Sequence, residues 1–298
     1  MSGKPLVITH ANCIDGFGSA FSAWRYFGDT AEIFRAKHGK DGNHDLPEDW
    51  GGRDVYILDF CYPVDCLLEM ASTARRVIVL DHHKTAMEDC RHLLSEIAPG
   101  YYEGGVEQLG LSLIFDMNRS GAGMSWDYFH GGKRPWIIDY VEDRDLWNWE
   151  LEDSKPINEY IAALPRTYEA WNDTVGTGKE EAADRGQWML RVKDSYVHAM
   201  MSLVRVCEFD GHKDVPVVNA PFWSCSELVG KLAEDSKSGF AVGWWTTADG
   251  KFQYSLRSRS DFDVSELAKK HGGGGHAGAA GFLSDSPVHE TRGNRCEK

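Results

Sequence analysis

The chain has no Cys-x-x-Cys pair, although it contains seven cysteines: Cys13, Cys61, Cys66, Cys90, Cys207, Cys225 and Cys296. Their odd number and irregular spacing argue against a disulfide framework and against a structural zinc module. No apolar run approaches the roughly 20 residues that a membrane helix needs. No signal peptide precedes the first strand-like run, so a cytoplasmic protein is expected. Low-complexity tracts and internal repeats are missing as well. Positive charge is scarce: 32 Lys and Arg face 46 Asp and Glu, a net charge of −14. The acid excess falls entirely within residues 1–211, with 21 basic against 35 acidic side chains, while 212–298 balance at 11 and 11. Such a field does not attract long nucleic acid, although phosphates can still bind through cations.

What is present is enough apolar residue, 42% of 298, for one large or two medium cores. The first half alternates short β-rich runs with helix-like segments. "LVITH" (6–10) precedes "GFGSAFSAWRYFG" (16–28), and "DVYILDF" (54–60) precedes "PVDCLLEMAST" (63–73). "RVIVLDHH" (76–83) follows, then "LSLIFD" (111–116), "SGAGMSWDYF" (120–129) and "PWIIDYVEDRDLW" (135–147). This alternation predicts an α/β fold with a parallel sheet flanked by helices. Apolar residues at helical spacing from 188 to 204 predict a long helix bridging to a smaller α/β domain. The expected boundaries are a first domain over 1–185, a connecting helix over 186–211 and a second domain over 212–298. In the second domain "FAVGWWTT" and "KFQYSLRS" flank Ala248-Asp249-Gly250, a hairpin signal.

Ligands gather at the carboxyl ends of parallel strands. Here one strand ends in His10, with Cys13 and Asp15 just beyond. The next ends in Asp59, and a third in Asp81-His82-His83. Glu142-Asp143-Arg144-Asp145 closes the "PWIIDYV" segment. Each residue alone reads most simply as a turn, a helix cap or a structural histidine. Three strand ends repeating the pattern is a different matter. Carboxylates and imidazoles converging in one place need something positive to hold them, and one or two divalent cations would serve. A donor set rich in carboxylate with some imidazole suits manganese or magnesium better than zinc. Paired-carboxylate glycoside chemistry leaves the histidines unexplained. A Cys13 nucleophile beside His10 lacks an evident oxyanion hole.

The second signal is "HGGGGHAGAAGF" (271–282). Glycines 272–275 let backbone approach a ligand, and His276 follows at once. Arg257 and Arg259 alternate on a strand and share a face. Two arginines, a glycine-rich loop and a histidine make an anion receptor.

Asp81-His82-His83 after an apolar strand resembles the signature of the DHH phosphoesterases. The "GGGGHAGAAGF" element, with "SLRSRSDFDVSELAKKH" before it, resembles their DHHA1 substrate-binding domain, and the chain resembles the small oligoribonuclease-like, single-chain members. The resemblance covers residues 6–283. It implies a two-manganese site, with magnesium as a substitute, that hydrolyses phosphodiesters by a two-metal mechanism. By analogy Asp59 bridges the metals. His10 holds one, and Asp15, His82 and Asp143 hold the other. His83 faces the substrate phosphate and Asp81 orients the histidine pair. Arg257, Arg259, Gly273, Gly274, Gly275 and His276 grip a phosphate or nucleotide end. The first motif departs from the family's pattern. Two aspartates are usual there, and this chain has only Asp15, with Cys13 two positions before it. In the fourth motif Asp143 competes with Asp145 and is favoured by its distance from the helix run. Charge then selects short oligonucleotides or small nucleotide diesters, cyclic ones included, as substrates. The alternatives are a cyclic-dinucleotide or polyphosphate hydrolase, or a nucleotide-binding protein silenced by the missing acid. Expected partners are the nucleotide substrate, no long nucleic acid and no membrane, with room for a homodimer.

Overall fold

The structure, a computed structural model, describes residues 3–11, 13–37, 45–259 and 261–288. Residues 289–298, counted above with the second domain and including Cys296, lie outside the described residues. The chain divides into two compact units, Met1–Leu190 and Arg191–Lys298.

In the first unit β1 (Leu6–His10) leads to α1 (Ile14–Phe27), β2 (Glu32–Ala36) and β3 (Asp54–Leu58). Then come α2 (Val64–Thr73), β4 (Arg76–Asp81), α3 (Lys84–Asp89), β5 (Leu94–Ala98), β6 (Tyr101–Val106) and β7 (Leu111–Asp116). The remaining helices are α4 (Gly121–His130), α5 (Trp136–Asp145), α6 (Ser154–Ala163), α7 (Tyr168–Thr177) and α8 (Lys179–Met200), the last of which runs past Leu190 into the second unit. Among the described residues the strands form one seven-stranded sheet in the order β2-β1-β3-β4-β7-β6-β5. The first five strands in that order run parallel. β6 and β5 add an antiparallel edge that the sequence pattern did not announce. Their segments, "LSEIA" and "YYEGGV", contain no fully buried residue, and only Leu94, Tyr102 and Val106 pack partly against the core.

Period-two alternation sorts the strand residues between two faces. Leu6, Ile8, Val55, Ile57, Val77, Val79, Leu111, Leu113 and Phe115 pack with Leu67, Met70 and Ala71 of α2. Val7, Tyr56, Leu58, Ile78 and Leu80 pack with Ala23 of α1 and with Met124 and Phe129 of α4. Helices therefore cover both faces, and the carboxyl ends of β1, β3 and β4 emerge side by side. Short caps start the helices there. Cys13 Sγ accepts from the Gly16 amide (3.1 Å) to begin α1. Ser120 Oγ accepts from Gly123 N (3.1 Å) to begin α4.

In the second unit β8 (Arg205–Phe209), β9 (His212–Asn219), α9 (Phe222–Glu234), β10 (Phe240–Thr246), β11 (Phe252–Ser258), α10 (Val264–Lys270), β12 (Gly274–His276) and β13 (Ala279–Ser284) follow in turn. The sheet order is β12-β13-β11-β10-β9-β8, with β9 and β10 parallel and the other pairs antiparallel. The expected hairpin is β10–β11. The long helix differs from its expected span of 186–211: it starts at Lys179, and residues 205–209 pair as β8 with β9. In "RVCEF" Cys207 and Phe209 are buried and their neighbours exposed, a period-two pattern that overrides the helical stripe.

Candidate metal centre

At the carboxyl end of the parallel strands, Asp59 follows β3 with φ of +53°, a conformation unusual for a residue with a side chain. Its two carboxylate oxygens face different neighbours. Oδ2 stands 3.2 Å from Cys13 Sγ and 3.8 Å from His10 Nδ1. Oδ1 stands 3.1 Å from His82 Nε2. That same imidazole nitrogen lies 3.4 Å from Asp15 Oδ2 and 3.6 Å from Asp145 Oδ2. Cys13 Sγ is 3.3 Å from His10 Nδ1. Two donor groups thus meet at Asp59: His10 and Cys13 on one oxygen, His82 with Asp15 and Asp145 on the other side.

Backbone geometry makes room for this convergence. A side chain at Gly16 would run into the His10 carbonyl, and one at Gly121 would run into the Asp59 side chain. α4 begins against the site, and its Gly121 and Ala122 amides donate to the two oxygens of Asp15 at 2.7 and 2.9 Å. The open amides of a helix start hold that carboxylate in place. Asp15, Asp59 and His82 are almost fully buried, whereas the Asp145 side chain is 30% exposed.

Charge is unbalanced here. Burial, reinforced by Asp15 and Cys13, raises the Asp59 carboxyl well above its ordinary range. Burial and Asp15 push Asp145 up to about 6, against the pull of His82. Burial and Asp15 push the Cys13 thiol up to about 11. Each displacement is that of an acid lacking a cation. A divalent ion on either side of Asp59 would supply it, and the oxygen-rich donor set with imidazole and one sulfur suits such an ion. Asp81 plays another part. Its Oδ1 accepts from the His82 amide (2.8 Å) and from His83 Nδ1 (2.7 Å). Burial opposes a charge on His83, but Asp81 outweighs it and lifts the imidazole to about 9.

One expected ligand stands elsewhere. Asp143 is turned away from the donor groups and holds the loop that follows α5. Its Oδ1 accepts from Glu150 N (2.9 Å), its Oδ2 from the Ser154 hydroxyl, and its carbonyl from Asn148 N (2.9 Å). Asp145, two residues on, takes the place beside His82. Distance along the chain could not separate them, because α5 continues to Asp145 itself. The sequence reading also passed over Gly121 and Ala122 as anchors of Asp15. The "SGAG" start of α4 was their only trace.

In the second unit Arg257 is the last but one residue of β11, and Arg259 lies just past the strand end. Arg257 donates to Ser226 Oγ (2.8 Å) and Ser255 Oγ (3.0 Å), and Arg259 donates to the Ser258 carbonyl (2.9 Å). The end of the glycine run is a strand rather than a loop. Gly274, Gly275 and His276 pair with Gly281, Ala280 and Ala279. Ala279 also pairs with Arg257, so Arg257, Ala279 and His276 form one row across the sheet. Paired residues of an antiparallel ladder share a face.

Residues 218–290 match the DHHA1 domain model. Over 93% of its length the chain is 26% identical to an uncharacterized protein of Acanthamoeba polyphaga mimivirus, of which it covers 66%. Over 75% of its length it is 25% identical to oligoribonuclease NrnB of Bacillus subtilis (strain 168), of which it covers 57%. The chain therefore spans roughly three fifths to two thirds of these relatives. Among solved structures, the DHH domain of a member of a ribosomal-protein family superposes with a TM-score of 0.49 at 13% identity, over 95% of this chain and 83% of that one. The second unit thus carries a DHHA1 domain, and the chain as a whole is similar to an oligoribonuclease, NrnB.

Proposed function

We propose that the protein is a manganese-dependent phosphodiesterase of short oligonucleotides or small nucleotide diesters. The observation that carries this reading is Asp59, whose two oxygens address two separate donor groups. His10 and Cys13 with Asp59 would hold one cation, and Asp15, His82 and Asp145 with Asp59 the other. Bound there, such ions supply an activated water and stabilise charge on a phosphoryl group. The chain's own residues do the positioning. Asp81 fixes the His83 ring through Nδ1, and His83 is the side chain proposed to meet the substrate phosphate. α4 fixes Asp15. Arg257, Arg259, His276 and the backbone of Gly273, Gly274 and Gly275 are proposed to bind a phosphate or nucleotide end. Kinship with a protein named as an oligoribonuclease supports a nucleotide substrate. The net charge of −14 favours short ones.

The test is a substrate panel. Purified protein with Mn2+ is expected to release mononucleotides from di- to pentanucleotides or to open cyclic nucleotides, and Asp59→Ala to abolish this. No turnover across the whole panel would overturn the reading. Nucleotide binding without turnover would identify a silenced binding protein instead.

A further inference from the structure

The apolar stripe from 188 to 204 predicts α8, but most of it is not the side on which α8 packs. Val197 and Met200 turn toward α9 and join its core cluster. Lys193, on the same side, is buried and bonds Glu227 of α9 at 2.7 Å. The adjoining side is apolar as well and faces water. Trp188, Val192 and Tyr196 stand on it in a row of four-residue steps, with Met189 beside them. Trp223 at the start of α9 meets the Tyr196 ring edge-on at 5.5 Å, and Phe222 precedes it. These six side chains are 38–69% exposed. Among the described residues thirteen large apolar side chains are exposed, and eight of them fall between 188 and 223. That concentration sets this face apart from the scattered apolar residues of an ordinary surface.

Its size, charge and symmetry say what covers it. Side chains this large at such exposure leave on the order of 700 Å2 in water, and a stable interface takes about 600–1,000 Å2 from each partner. Trp188, Met189, Val192 and Tyr196 carry no charge, although the chain has a net charge of −14. Like-charged copies meet with least repulsion on such a face. A nucleic-acid strand needs a row of cations, and valine and methionine offer no ring to stack on. The row itself reads aromatic, valine, aromatic, and reversing it leaves that order unchanged. Such a ridge complements a second copy of itself running the opposite way.

We propose that this face is the contact between two copies of the chain, related by a two-fold axis that crosses α8 at Val192. Val192 of one copy then touches Val192 of the other, and Trp188 of each copy packs on Tyr196 of the other. The two ridges interlock at roughly 50°, as rows of four-residue steps do, with Trp223 and Phe222 at the margin. The interface uses no residue of the metal centre and is independent of the phosphodiesterase reading.

Sedimentation velocity on the full chain tests this. Wild-type protein is expected to sediment as a dimer at micromolar concentration. Val192→Glu should weaken association by at least about 100-fold, because two carboxylates then face each other across the axis, out of water. Val192→Lys should do the same. Val192 is 56% exposed, so neither change disturbs folding. Mixing the two variants should restore dimers made of one copy of each, since position 192 opposes itself. That recovery is specific to an axis at Val192, and a general loss of structure does not produce it. A wild type that stays monomeric up to roughly 100 μM, a concentration well above the Kd of a stable interface, overturns the proposal. So does a Val192→Glu protein that remains dimeric, or a mixture of the two variants that stays monomeric. A monomeric wild type whose tryptophan emission is quenched by oligoadenylate would give the face to a nucleic acid instead.

Discussion

At the scale of single residues, Asp143 and Asp145 differ in what each one touches. Asp143 accepts hydrogen bonds from the segment 148–154, while Asp145 lies against His82. The two asparagine variants should therefore separate cleanly. Asp143→Asn is expected to cost about 1–3 kcal/mol of stability, because a charged acceptor of buried donors is weakened. Asp145→Asn should instead lower Mn2+ affinity by at least roughly tenfold. Thermal melts and metal titrations on both variants check this, and the reverse pattern would return Asp143 to the ligand set. His10, Asp15, Asp59 and His82 were legible in the sequence because strand ends in a parallel sheet converge by topology. Asp145 was not, since both acids sit on one helix and only its rotation distinguishes them. Cys13 was legible as an anomaly. The structure gives it contacts with His10, Asp59 and the Gly16 amide that the sequence could not list.

At the scale of elements, α4 is the part that turns a sheet edge into a site. Its start reaches Asp59 closely enough that glycine is required at 121, and its first amides hold Asp15. An ionic network of two arginines and two acids anchors it. Arg134 forks onto Asp127 (2.8 and 2.6 Å) and bonds Glu142 (2.6 Å), while Arg119 bonds Asp127 (2.7 Å) and Glu142 (3.0 Å). Glu142 also accepts from the Ser120 amide (3.0 Å) just before the helix. Burial alone would raise the Asp127 carboxyl, but Arg134 and Arg119 outweigh it and hold it below its ordinary range. A depressed carboxyl stabilises the fold above its unfolded pKa of about 4, and that stability is lost as pH falls through the folded value. Arg134→Met should consequently melt lower than wild type at neutral pH, with the gap narrowing from about pH 5 to about pH 3. A constant gap across that range would show that Arg134 contributes through packing rather than charge. None of this network was anticipated, because its members are 7 to 23 residues apart and follow no single period.

At the scale of the whole chain, the change in pattern led to an expected boundary between about 185 and 212, and the two compact units meet at Leu190 and Arg191. The exposed edge strands and the full course of α8 were not foreseeable. The largest quantity to measure here is the effect of metal on stability. An ion that binds only the folded centre at about 100 times its Kd adds about 2.7 kcal/mol, or roughly 5–10 °C in Tm for a unit of this size. Mn2+ should produce such a rise, EDTA should reverse it, and Asp59→Asn should remove it. An equal rise in the variant would mean that the ion binds elsewhere. The uneven exposure of the centre bears on how the protein must be handled. Asp15, Asp59 and His82 form a floor no more than 3% exposed, while His10, His83 and Asp145 form a rim 21–30% exposed. A dish of this kind, unlike a closed cage, exchanges its contents quickly with the solution above it. Occupancy would then follow the free-ion concentration of the moment, and with it any rate measured after a column, a dialysis or a wash.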